Sequence, residues 1–329
     1  MIPRTADWKN ALATAVRDPA ELLALLELPQ SLLPGAREAA ARFPLRVPRG
    51  YLSRMRKGDE NDPLLRQVLP LGAEQQQVSG FGTDPVGDRS ASAAPGVLHK
   101  YHGRVLLTAT GACAIHCRYC FRRHFPYAEE NPGRHNWQGI IDYLQGNPEV
   151  DELILSGGDP LMLDTPQLEQ LGQRLAQLPQ LKRLRLHTRL PVVLPERIDE
   201  ALLGLLTRLP WQLVMVIHCN HAAEVDAAVA DALGRLHAAG ITLLNQSVLL
   251  QGVNDDVQTL LELHERLFSH RVIPYYLHLL DRVSGAAHFE VSEARARALL
   301  EQLRAQAPGY LVPTLVREIE GEANKRPVV

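Results

Sequence analysis

From about residue 104 onward, apolar and polar positions follow a repeating two-part rhythm. Short apolar runs fall at 104–108, 152–156, 183–188, 211–218, 241–249 and 274–280. Segments with apolar residues gathered on one helical face lie between or after them, as at 165–178, 224–239 and 292–306. Strand-like runs that alternate with helices predict parallel strands, because only a crossover returns the chain to the same end of a sheet. Six such βα units predict an α/β fold built as an open or partial barrel, eight being needed to close a full one. The texture before this region is different. Residues 1 to about 95 read as short helices joined by loops, one of them opened by Asp18 as N-cap and Pro19 at the first helical position. Residues 59–94 are rich in Gly, Asp, Ser, Pro and Gln and read as a long connection. The expected organisation is an N-terminal, mostly helical extension over 1–95, a barrel region over 96–310 and a C-terminal segment over 311–329.

Polar residues collect where the predicted strands end. A cysteine loop follows the first run and Gly157-Gly158-Asp159-Pro160 the second; His187-Thr188-Arg189 closes the third, His218-Cys219-Asn220-His221 the fourth and Asp281 the sixth. Active sites of parallel βα folds lie at the carboxyl ends of strands, so five separate segments point to one rim.

Composition narrows the class. Apolar residues make up 46% and charged residues 22%, which supports a buried core and argues against wholesale disorder. The formal net charge is −2 and the basic residues are scattered, so neither nucleic acid nor an anionic membrane is an expected partner. No stretch approaches a membrane span. The start, Met1 to Lys9, lacks an apolar signal core, so a cytoplasmic protein is expected. Of four cysteines, three lie within eight residues, a clustering that points to metal or redox chemistry rather than to a disulfide framework.

Those three, Cys113, Cys117 and Cys120, form a C-x3-C-x2-C run. Thiolates are the ligands of iron–sulfur clusters, and a cubane normally takes four. Three leave one iron open, as a catalytic centre requires. Two other readings stand beside this one: zinc with His116 as a further ligand, or thiols buried simply as small apolar groups.

The spacing, followed by an aromatic residue and arginines, resembles the radical S-adenosylmethionine (SAM) superfamily, and Gly157-Gly158-Asp159-Pro160 resembles its glycine-rich element. The fold this implies is the radical SAM partial (β/α)6 barrel with an N-terminal, mostly helical extension. The resemblance narrows on Cys117-Arg118-Tyr119-Cys120-Phe121-Arg122-Arg123-His124-Phe125, on 153–161, on 187–198, on 245–255 and on His288-Phe289. From about residue 96 to residue 325 the chain resembles lysine 2,3-aminomutases, in order and with compatible spacing.

That resemblance implies a [4Fe–4S] cluster on Cys113, Cys117 and Cys120, whose open iron binds SAM and yields a 5′-deoxyadenosyl radical. It places SAM against Ser156, Gly157, Gly158, Asp159, His187, Arg189 and Gln246, the glycines allowing close backbone approach to the SAM amino group. It implies pyridoxal 5′-phosphate (PLP) as well, carried as a Schiff base on Lys325, with Lys100 and Arg104 for the phosphate. Only Gly321 remains of the family's glycine run before this lysine. For the substrate it implies Arg122 on the α-carboxylate, and Asp281 and Glu318 on a side-chain ammonium. The acidic pair argues for a cationic amino acid. Cys219, amid His218, Asn220 and His221, is expected to belong to the barrel rim rather than to a second metal. Long family members carry a C-terminal zinc-binding extension; this chain ends four residues after Lys325, so zinc is not expected.

The implied reaction is L-lysine to β-lysine, in the R form, for modification of elongation factor P by its lysyl-tRNA-synthetase-like ligase. An electron donor such as flavodoxin is an implied partner, and a homo-oligomer is compatible with the reading. The alternatives are a 2,3-aminomutase for another cationic amino acid and a non-catalytic iron–sulfur redox protein, in which Lys325 and Asp281 would have no task.

Overall fold

A computed structural model describes residues 7–127 and 137–329. Residues 1–6, on which most of the reading of a leaderless start rests, lie outside the described residues, as do 128–136.

Among the described residues ten strands form one sheet in which spatial order equals chain order. They are β1 (Ser92–Ala94), β2 (Val97–Tyr101), β3 (Arg104–Thr110), β4 (Glu152–Gly157), β5 (Arg183–Thr188), β6 (Gln212–His218), β7 (Thr242–Val248), β8 (Val272–His278), β9 (Thr314–Arg317) and β10 (Arg326–Pro327). Strands β3 to β9 run parallel, and β1–β2, β2–β3 and β9–β10 pair antiparallel. Each strand from β3 to β8 is followed by at least one helix, giving the six βα units the rhythm predicts.

Helix starts are chemically plain. Asp18, Asp164, Asp199, Asp226, Asp256 and Ser292 each accept a hydrogen bond from a backbone N–H of the first turn, which would otherwise be unpaired. Along the strands, side chains alternate between two environments. Leu153 and Leu155, Leu184 and Leu186, Met215 and Ile217, and Leu243 are buried in the main core cluster. Their neighbours Ile154 and Ser156, Arg185 and His187, His218 and Gln246 line a cavity inside the sheet's curve. The period of two thus makes a greasy outer face and a polar inner one.

Three features differ from the sequence reading. A strand before the first parallel one, β2, was not foreseen; it carries Lys100 and folds back on β3 as a hairpin. The seventh parallel strand, β9, and the two-residue β10 escaped notice because four and two residues carry too little periodicity. Residues 59–94 are not a bare connection, for they hold a helical turn at Pro63–Arg66, a 3-10 turn at Gly72–Gln75 and β1. The extension is also bound into the rest of the chain. Leu22, Leu23, Tyr51, Leu64 and Leu65 are fully buried in the main core cluster, which also holds barrel residues such as Leu153 and Met215.

The sheet stays open, and side chains cross its seam. From the β1–β2 side, the Lys100 ammonium lies 2.9 Å from a Glu318 oxygen and the Ser90 hydroxyl donates to Glu320 at 2.6 Å.

Candidate active site

A cavity of about 500 Å³ occupies the inner face of the sheet. All three clustered thiols, the glycine turn, the seam's charges and Lys325 line it.

The cysteine loop leaves β3 and is fixed from two sides. From the barrel side, Gly158 N–H donates to the Thr110 carbonyl at 2.6 Å and Asp159 N–H to the Ala112 carbonyl at 2.8 Å. Gly157 has φ +111°, and a Cβ there would lie 2.7 Å from the Thr110 oxygen; at Gly158 it would lie 2.3 Å from the Ala112 oxygen. These glycines thus meet a second close approach beside the one expected to SAM, to the backbone that ends β3 and opens the cysteine loop. From the other side comes the N-terminal extension. Arg46 donates to the Cys113 carbonyl at 2.7 Å, the His116 N–H donates to the Arg46 carbonyl, and the Arg118 N–H donates to the Gln67 carbonyl. The Arg118 side chain is wholly buried on Glu74, which also takes Arg123 at 2.7 Å. His116 stacks on Phe43 and its Nδ1 lies 2.7 Å from the Pro44 carbonyl, so the imidazole that a zinc reading would enlist is engaged with the extension.

Burial, then the charges of Cys120, Asp159 and Cys117, pushes the Cys113 thiol well up; burial and Cys117 push Cys120 up to about 11. A metal takes the thiolate form outright, so a bound cluster would displace these protons. Cys219 stands apart. It is fully buried in the main core cluster, its thiol donates to the His221 carbonyl, and it is absent from the cavity lining. Of its neighbours, His218 and Asn220 line the cavity, whereas His221 accepts from Ala223 N–H and caps a short turn.

Asp159 is spent on the fold. Its carboxylate accepts from Thr188 Oγ1 and Arg189 N–H, both at 2.7 Å, and from Leu161 N–H, joining the ends of β4 and β5; burial outweighs these bonds and lifts it to about 6. Among the described residues His278, buried, and His187 and His218, half-buried, line the cavity, and desolvation favours the neutral form of each: His218 falls to about 3, His187 and His278 well below their usual value. The Nε2 atoms of His187 and His278 are buried without a hydrogen-bond partner among the described residues, while His218 Nε2 lies 2.8 Å from Gln246 Nε2.

At the seam the charges form a chain. Asp88, which sequence reasoning missed inside the Gly- and Asp-rich stretch, holds Arg122 and Lys100, each at 2.6 Å. Lys100 passes on to Glu318, and Glu318 also pairs with Lys325. Arg122 donates further to Ser156 at 3.1 Å. Glu318 is thus no solvated acid, although Glu320 and Glu322 flank it; burial works against its charge, but Lys325 and Lys100 hold it far below the usual carboxylate range. Lys100, expected on a phosphate, already serves two carboxylates and the Val86 carbonyl. Arg104 stacks 4.8 Å over Tyr101 and has no acidic partner among the described residues. Asp281 makes no ion pair or side-chain hydrogen bond among them either; burial and Glu318's charge raise it to about 7.

The donor set suits all three groups the sequence implies. Three thiols share one wall, an orphaned buried imidazole and glycine backbone face the same space, and an amine with a neighbouring arginine stands in it.

The pattern of the 4Fe-4S single cluster domain matches residues 102–188. The L-lysine 2,3-aminomutase of Escherichia coli strain K12 is 51% identical over 99% of this chain and 95% of its own. That of Haemophilus influenzae is 47% identical over 99% and 96%, and that of Clostridium subterminale 33% over 98% and 78%. A solved radical SAM methyltransferase from Sphaerobacter thermophilus superposes with a TM-score of 0.46 at 17% identity, covering 67% of this chain and 68% of that one. Thiols, glycine turn, neutral histidines and acidic seam thus stand on a chain that matches these aminomutases nearly end to end: it belongs to the lysine 2,3-aminomutase family of radical SAM enzymes.

Proposed function

We propose that the chain converts L-lysine to β-lysine by moving the amino group from C2 to C3. The observation that carries this is Asp281. A carboxyl group lifted to about 7 by burial and by Glu318's charge is one that a cationic side chain would return to its ionised form. When bound, the cluster and SAM supply one-electron hydrogen abstraction, and PLP supplies carbonyl chemistry for the amino group.

The chain's own residues do the rest. Cys113, Cys117 and Cys120 hold the cluster. Ser156, Gly157, Gly158, His187 and Gln246 bound the SAM space, with Asp159 and Arg189 shaping it from behind. Arg122, kept in place by Asp88, presents a planar fork to the substrate carboxylate. Lys325, which pairs with Glu318 in the cavity, would hold PLP through its amine. The side-chain ammonium of lysine would sit between Glu318 and Asp281, the two acids on this wall of the cavity. Arg104, with Lys100 beside it, receives the PLP phosphate. Histidines that stay neutral, and apolar walls at Leu98, Ile154, Val248 and Leu280, keep loose protons and water from the reacting centre.

The finer reading is that the R product serves modification of elongation factor P through its ligase, in the cytoplasm, with electrons from a flavodoxin-like donor. Its support is the identity of 51% and 47% to the relatives from E. coli and H. influenzae. Among the described residues no helix is long and apolar enough to cross a membrane. The test is anaerobic turnover of lysine with SAM, PLP and a reductant, with the product identified by mass spectrometry and chiral chromatography. β-Lysine from the parent and none from Lys325→Ala is the expected result. Another cationic amino acid turned over in preference to lysine overturns the substrate assignment.

A further inference from the structure

Beneath the cysteine loop lies a second buried charge cluster that substrate binding does not use. Arg189, at the end of β5, donates from Nη1 to the Cys117 sulfur at 2.7 Å. Its Nη2 meets Gln67 Oε1 at 2.6 Å, Glu224 Oε2 at 2.8 Å and the Tyr51 hydroxyl at 3.3 Å. Glu224 is fully buried; its other oxygen accepts from Asn220 N–H at 2.8 Å, His221 N–H at 3.1 Å and Gln67 Nε2 at 3.3 Å. Asn220 in turn donates to the Tyr119 hydroxyl at 2.8 Å, inside the cysteine motif itself.

The arrangement is asymmetric. One terminal nitrogen of the guanidinium touches the sulfur and the other meets the counter-charge. Glu224 is held by so many donors that its charge is fixed in place. Burial disfavours both charges, and they persist because each has its partners.

We propose that Arg189 and Glu224 are an opposed pair of positioning residues that set the reduction potential of the cluster through Cys117. This rests on the reading of Cys117 as a cluster ligand. Reduction adds one electron to the cluster, and hydrogen bonds and positive charge at a ligand sulfur stabilise that added charge. Arg189 therefore raises the potential. Glu224 lowers it again by compensating the guanidinium, and it acts more weakly because it reaches the sulfur through Arg189. Tyr51 and Gln67 bring the N-terminal extension into the same device, since both touch the Arg189 guanidinium.

The experiment is a potentiometric titration of the reconstituted protein without SAM, with dithionite and mediators under argon, followed by electron paramagnetic resonance of the reduced cluster. Arg189→Gln is expected to move the potential down, and Glu224→Gln to move it up. Arg189→Lys keeps the charge but loses the fork, so it should fall less than Arg189→Gln; it substitutes for that variant if the latter does not load. Glu224→Asp, retaining the charge, should stay near the parent. Opposite signs for the two neutralised variants are the supporting result, which general loosening of the fold would not produce. Equal signs, or potentials unmoved in loaded variants, overturn the inference. A parent that binds no cluster overturns the ligand reading instead, so the two failures are separate.

Discussion

Asp281 and Glu318 are two acids on one cavity wall, and their surroundings drive them apart. Glu318 has two lysines and stays ionised; Asp281 has burial and a like charge, and rises to about 7. The sign of the consequence follows directly. A carboxyl raised above its unfolded value favours the neutral form in the fold, so its contribution to stability is fully present below about pH 4 and is lost as pH rises through 7. Binding of a cationic substrate runs the other way, for it needs the charged form. Lysine kcat/KM in the parent should therefore rise between pH 6 and 8 with an inflection near 7. In Asp281→Asn that inflection should vanish, with kcat/KM lowered on the order of 30- to 3,000-fold, about 2–5 kcal/mol for a charge left unpaired. An unchanged inflection would assign it to another group. Little at Asp281 was legible in the residue alone; its place after the sixth apolar run was the signal. Asp88 had no such signal, because an acid in a Gly- and Asp-rich stretch looks solvated until the fold buries it between Lys100 and Arg122.

At the scale of elements, the rhythm of apolar runs located β3 to β8 to within a few residues, since each is long enough to show its period. The glycine turn after β4 is where element and site meet. Gly158 has Ala112 backbone against it, and backbone cannot swing aside as a long side chain can. Gly158→Ala should displace the cysteine loop, costing about 1–3 kcal/mol as overpacking does, and should lower iron bound per chain. Gly234, exposed inside the helix Ala227–Ala238 with open space around it, gives the contrast. Its Ala variant should gain about 0.5–1 kcal/mol with iron unchanged. Thermal unfolding and iron assay of both variants separate steric conflict at the turn from loss of glycine as such. Full iron in Gly158→Ala would mean the loop tolerates the shift.

Across the whole molecule, the N-terminal extension and the barrel meet on the cysteine loop. No pattern in residues 7–95 announced this, because the contacts are buried polar pairs rather than a period. Glu74, holding Arg118 and Arg123, is the firmest of them. Burial opposes its charge, yet the two arginines keep it below the usual carboxylate range. Glu74→Gln leaves two buried guanidinium groups short of a counter-ion, a loss of about 3–5 kcal/mol. Iron should then pass faster to an added chelator than from the parent, at a temperature where both remain folded. Equal release rates would place the extension's grip elsewhere, on Arg46 or Gln67.

Because spatial order equals chain order, each strand can join an edge that its predecessor has already made. Seen from the ribosome, the thiol wall and the lysine wall have different ages. Cys113 to Cys120 emerge with β3 and can be framed by β4 and by the extension, both near in sequence. Lys325 arrives some two hundred residues later, just ahead of the two-residue β10 that ties it to β9. A nascent chain can thus frame the thiols proposed to hold the cluster while Lys325, proposed to hold PLP, is still unmade. Assembly has a natural sequence in time, metal before vitamin.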